Sequence, residues 1–177
     1  LTIVQTKILA TAVAMALSAW AFSARAATTA TAPLIGATGS NAGSVTVTQG
    51  PKGVVIQIAA KGLTPGWHAV HFHEKGDCAT PDFKGAGGHV HAMVTHVHGL
   101  LNPDGNEAGD LPNLYVSADG AGVAQFFSTT VSLAGAPGQP ALLDADGSAV
   151  VIHANADDFL TQPIGGAGAR VACGVLH

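Results

Sequence analysis

Charge is scarce in this chain: Asp, Glu, Lys and Arg together make up 10% of its 177 residues. Seven are basic and eleven acidic, and the basic ones form no run. That excludes a nucleic-acid surface and a polybasic patch for anionic lipid. Cysteine is nearly absent, with only Cys78 and Cys173. Neither follows the apolar N-terminal run, where a lipid anchor would need one. No stretch after residue 27 carries a helical hydrophobic period. Long apolar runs are missing too. ILATAVAMALSAWAF, over 8–22, falls short of the ~20 residues of a membrane span.

That run reads instead as the core of a secretory signal peptide. Lys7 precedes it, Ser23-Ala24-Arg25-Ala26-Ala27 follows, and cleavage is expected after Ala26 or Ala27. The expected organisation is a signal peptide over 1–27, a flexible lead-in rich in Ala, Thr, Gly and Ser over 28–43, and one domain over 44–177. Removing Lys7 and Arg25 would take the formal charge from −4 to −6. In an exported chain an even pair of cysteines reads as a disulfide. Closing so long a loop stabilises by about 4.5 kcal/mol in the chain-entropy account. Arg170 is then the lone arginine, either incidental or placed for a small anion.

What remains is short, β-like and rich in turns. SVTVTQ (44–49), GVVIQIAA (53–60), WHAVHFHE (67–74), NLYVSA (113–118), VAQFFSTTVSL (123–133), SAVVIH (148–153) and ARVACGVL (169–176) are the candidate strands. GLTPG, ADGAG, GAPGQP and DADGS are the breaks between them. This predicts an all-β antiparallel sandwich or barrel. Two long segments, 75–112 and 154–168, interrupt the rhythm, and loops of that length are usually functional.

Histidine is the residue in excess, with nine in the chain. Four fall in GGHVHAMVTHVHG, over 87–99: His89, His91, His96 and His98. On the strand HAVHFHE, alternation puts His71 and His73 on one face with Ala69, and His68, Val70, Phe72 and Glu74 on the other. Two imidazoles side by side on a strand can share one metal ion, and clustered histidines favour metal over a solvated face. A cupin also uses His-x-His, but it needs a glutamate several residues later on the same side. Glu74 follows at once and points away.

GWHAVHFHEKGDC (66–78), AGGH (86–89), HGLLNPDG (98–105), GDLPN (109–113), VIHANADD (151–158) and GGAGARVACGV (165–175) resemble, in order, the bacterial copper/zinc superoxide dismutase family. The resemblance implies a Greek-key β-sandwich or flattened barrel of about eight antiparallel strands with two functional loops. It implies copper on His71, His73, His89 and His153, and zinc on His89, His98 and Asp110, with His89 bridging the two. Asp157 would link His71 to His98, Cys78 and Cys173 would be the disulfide pair, and Arg170 would flank the copper channel. The implied reaction is dismutation of superoxide to oxygen and hydrogen peroxide, with His89 and Arg170 taking part. The implied location is the periplasm, without nucleic-acid or membrane partners and with a homodimer left open.

The resemblance frays between 89 and 107. The family pattern follows Gly-Gly-His closely with Asn-Pro, whereas here Val90-His91-Ala92 follows and His98 comes nine positions after His89. Glu107 stands where relatives carry a further zinc histidine. Zinc accepts carboxylate, so Glu107 is the favoured fourth ligand, with His91 or His96 as substitutes and weak zinc binding as a third alternative. His68 is expected to make a structural hydrogen bond on the opposite face of its strand. The rival to an enzyme is a non-catalytic periplasmic copper- or zinc-binding protein on the same fold.

Overall fold

The alternating runs pair as their pattern asks. β2 and β3 (Asn41–Gly50 and Gly53–Ala60) are antiparallel from Gly43↔Ala60 to Gly50↔Gly53. Val45, Val47, Val54, Ile56 and Ile58 all turn inward and are buried, the period-two burial of a strand with one wet face. Each such side chain contributes about 1.5–3 kcal/mol.

The protein, a computed structural model, is described over residues 28–177; the expected signal peptide lies outside the described residues. The other strands are β1 (Thr29–Gly36), β4 (Gly66–His68), β5 (Val70–His73), β6 (Leu114–Val116), β7 (Gly122–Ser128), β8 (Ser148–His153) and β9 (Arg170–Leu176). Seven form one antiparallel sheet in the order β5-β8-β9-β1-β2-β3-β7, and β4 pairs with β6. The expected strand over 67–74 is thus broken at Ala69, its two halves pairing with different partners. Because β6 lies against β7, β4 and β6 close the curled sheet around a common core.

The lead-in expected over 28–43 is a correction. Residues 29–36 form β1, inside the large sheet, and Asn41 already opens β2. Inward Ala30, Ala32 and Leu34 alternate with outward Thr29, Thr31 and Pro33. Ala against Thr is too weak a hydrophobic contrast to read as a strand. β1 meets β9 only at Ile35 and Gly36, so much of that edge is unpaired, where proline is tolerated. The run expected over 123–133 also ends early, at Ser128.

The β5-β8-β9 side of the sheet differs from the rest. β5 and β8 are buried at every position, because the two long loops cover their outer face. Val70, Phe72, Val150 and Ile152 enter the main core. Ala149, Val151 and Cys173 instead pack outward against Phe83 and Ala86 of the 75–112 segment. The Cys78–Cys173 disulfide, with Cα atoms 5.6 Å apart, fastens that segment to β9. Further along, the same segment hydrogen-bonds the edge of β5: Phe72 N–H to Gly109 O and Val90 N–H to Phe72 O, both 2.9 Å. A Cβ on Gly109 would stand 2.4 Å from Phe72 O, so only glycine permits this approach.

Candidate metal centre

Strand parity puts His71 and His73 on the outer, loop-covered face of β5. His71 pairs with Val151 and His73 with Ala149. His153 ends β8 at a register shift, which brings it opposite Arg170; such an irregularity re-aims a side chain. His89 arrives from the long segment, bridged to His73. One ring nitrogen from each of His71, His73, His89 and His153 falls within 4.8 Å of the others, all four residues buried.

Which nitrogens converge follows from what holds the opposite side of each ring. His73 Nδ1 donates to Gly87 O at 3.0 Å, and His153 Nδ1 to Gly168 O at 3.2 Å. His71 Nε2 donates to Asp157 Oδ2 at 2.9 Å. That leaves His71 Nδ1 and Nε2 of His73, His89 and His153, which among the described residues are the buried side-chain polar atoms without a partner. Burying one such group unsatisfied costs about 1–3 kcal/mol. Four clustered together fit a cation with a taste for imidazole, as copper has. Burial first, and neighbouring rings next, push His73 down to about 2 and His153 down to about 3. Burial also lowers His71, against the pull of Asp157. All three lone pairs are therefore free for a metal at neutral pH.

A second set lies on the other side of His89. His89 Nδ1 is 2.6 Å from Glu107 Oε2 and 3.1 Å from Asp110 Oδ1. His98 Nδ1 is 3.1 and 3.0 Å from the same two oxygens. Four donors with roughly 3.3 Å between neighbours is what tetrahedral zinc at about 2.0–2.1 Å requires. His71, His89, His98 and Asp110 also lie within 4.8 Å, but both His71 nitrogens are already directed to Asp157 and to the first set. Glu107 therefore fits better than His71 as the fourth donor. Burial works against charge on His89 and His98. Asp110 and Glu107, joined at His98 by Asp157, overcome it, raising His89 and pushing His98 up to about 11. Against the same burial, the imidazoles hold Glu107, Asp110 and Asp157 below the usual carboxylate range. Protons there supply the positive charge that zinc would bring.

Asp157 joins the two sets, its Oδ1 accepting from His98 Nε2 at 3.0 Å while Oδ2 holds His71. Arg170 donates from Nη1 to Phe83 O and from Nη2 to Gly87 O, each at 2.5 Å. Gly87 O is thus shared by Arg170 and His73. With His73, His89, His96, Glu107 and His153, Arg170 lines a cavity of about 260 Å³. Burial lowers the Arg170 pKa, yet guanidinium stays charged at any working pH.

His68 is structural: its nitrogens meet His153 O at 2.6 Å and Thr64 O at 2.8 Å. His91 and His96 stand outside both sets, stacked on each other with ring centroids 4.2 Å apart. Asn113 and Gln162 escaped sequence reasoning. Each amide pairs with the backbone N–H and C=O of a single residue, Asn113 with those of Asp157 and Gln162 with those of His98. Asn113 stands in the quoted GDLPN, but nothing in the sequence announces its partner 44 residues away.

The profile of the copper/zinc superoxide dismutase family matches residues 41–176. The superoxide dismutase [Cu-Zn] of Caulobacter vibrioides is 66% identical over 147 residues, covering 83% of this chain and 84% of that protein. Among solved structures, a superoxide dismutase-like protein from Bacillus subtilis superposes with TM-score 0.76 at 39% identity, over 83% of this chain and 97% of the other. The Cu/Zn superoxide dismutase from Brucella abortus superposes with TM-score 0.68 at 30% identity, over 85% and 100%. With the family's profile spanning most of the chain and its two donor sets in place, this protein belongs to the copper/zinc superoxide dismutase family.

Proposed function

We propose that this chain is an exported, periplasmic enzyme that converts two superoxide ions and two protons into oxygen and hydrogen peroxide. Copper would be held by His71 Nδ1 and by Nε2 of His73, His89 and His153, and zinc by His89, His98, Asp110 and Glu107. Bound copper supplies the one-electron redox chemistry, while zinc supplies fixed positive charge. Arg170 draws the anionic substrate into the cavity and holds it beside His153, a local positive charge in an otherwise acidic protein. Its two carbonyl contacts fix the guanidinium in advance, so little order is lost when the anion arrives. His89 lines the cavity, keeps Nε2 without a partner and turns Nδ1 toward Glu107 and Asp110, so Nε2 is the atom at which it would hold a proton for peroxide when that atom is not engaged by the metal. The disulfide supports an oxidising compartment, and no helix among the described residues is long and apolar enough to cross a membrane.

The observation that carries this reading is the convergence of four partnerless buried imidazole nitrogens. A storage protein could use those, but it has little need of a clamped arginine at the cavity wall. Replacing His153→Ala tests it. Superoxide consumption by the copper-loaded protein is expected to fall to background with the disulfide intact, and full activity in the variant would overturn the assignment.

A further inference from the structure

Of the histidines outside both metal sets, His91 and His96 are those by which the sequence departs from the family pattern after His89. His91 and His96 stack with ring centroids 4.2 Å and planes 23° apart, so a turn of the exposed His96 side chain sets its Nε2 beside that of His91. His91 repeats the device that prepares the buried ligands. Its Nδ1 donates to a backbone carbonyl, His89 O, at 2.9 Å, as those of His73 and His153 do to Gly87 and Gly168. Such a contact fixes the tautomer and leaves Nε2 as the lone-pair nitrogen. No described group hydrogen-bonds His91 Nε2. His96 is 43% exposed, and its Nε2 stands 3.9 Å from Glu107 Oε1. The other oxygen of that carboxylate, Oε2, is already in the His89–His98 set. On its far side His91 borders a depression that also presents Glu74, Asp144 and Asp146, with Lys75 as the one cation.

We propose that His91 and His96 form an outer loading site for a divalent first-row cation, Zn(II), which passes to the inner set across the two oxygens of Glu107. This rests on Glu107 being the fourth inner zinc donor. Two imidazoles, completed by water, make a weak site, and weakness suits a site that must release its ion. The acidic depression gathers cations, the stacked pair captures one, and the Glu107 carboxylate then moves it from Oε1 to Oε2. No bond other than metal coordination changes.

The test uses the mature chain, wild type against the His91→Ala/His96→Ala double variant, with inorganic Zn²⁺ as probe. The exposed single variant His96→Ala serves as the check should the double variant fold poorly. Protein already loaded with copper and zinc is titrated first: wild type is expected to take up about one further Zn²⁺ per chain that the variants lack. Metal-free protein is then mixed with limiting Zn²⁺, and the variants are expected to load about tenfold more slowly to the same final content. Both differences are required, and absence of either overturns the loading site. Loss of final zinc content in the variants also overturns it, because it would place these histidines in the inner set. Glu107→Ala separates the two readings: undiminished inner zinc there removes the inner assignment, while the extra equivalent on loaded wild type is read independently.

Discussion

His71, His73, His89 and His153 each keep one nitrogen free because the other is engaged, by a carbonyl in two cases and by carboxylates in the others. The same logic makes Asp157 the residue with most leverage per atom, since each of its oxygens orients one ring. Asp157→Asn replaces one acceptor with an amide that opposes a ring N–H. Zinc affinity is expected to fall roughly 10–100-fold, measured by competition with a chelator, with a smaller loss for copper. Glu107→Ala should lower zinc content in metal analysis of the purified protein, and copper should be retained. Local spacing made part of this legible. His71 and His73 follow from alternation on a strand. That His91 lies outside does not follow, because it shares parity with His89 in an extended segment. Only its Nδ1 contact to the His89 carbonyl turns the ring away.

Among the elements, β3 and β8 coincide with the runs read from the sequence and β2 contains its run, because large apolar residues alternate there or fill both faces. β1 escaped because alanine carries its inward face. The long loops were legible as loops but not as a structure. Their order comes from the disulfide, the buried Phe83, the approach of Gly109 to Phe72 and the reciprocal amide pairs of Asn113 and Gln162, all contacts between residues distant in sequence. Replacing Cys78 and Cys173 with serine should cost about 4.5 kcal/mol in denaturant unfolding. It should also lower kcat/KM, because the segment that presents the Phe83 and Gly87 carbonyls to Arg170 loses its fastening. Gly165 is a second sensitive point: at φ 61°, an added Cβ would meet Asp157 Oδ1 at 1.6 Å and His98 Nε2 at 2.9 Å. Gly165→Ala should therefore weaken zinc retention, while an unchanged chelator competition would contradict that placement.

Taken whole, the molecule is an acidic barrel with one buried group of neutral imidazoles and one of charged ones. In the metal-free protein their pH effects oppose. His73 and His153, lowered to about 2 and about 3, stay neutral where unfolded histidine, near 6.5, binds protons. Stability should therefore rise with pH up to about 6.5. His98, raised to about 11, contributes fully below about 6.5 and loses that contribution as pH rises toward 11. Thermal unfolding of the metal-free chain at acid, near-neutral and alkaline pH should thus show a maximum near pH 6.5. Stability still climbing at alkaline pH would contradict the charged group. In the loaded enzyme, Arg170→Glu should slow superoxide consumption and change its ionic-strength dependence. The expectation for the loaded enzyme rests on the proposal that one copper ion would be shared by imidazoles from β5, the long segment and the end of β8. Electron paramagnetic resonance of the Cu(II)-loaded chain tests that most directly: a tetragonal spectrum with hyperfine structure from several nitrogens, lost in His153→Ala, is the predicted result. A signal of oxygen-ligated copper, or one unaltered by that substitution, would contradict it.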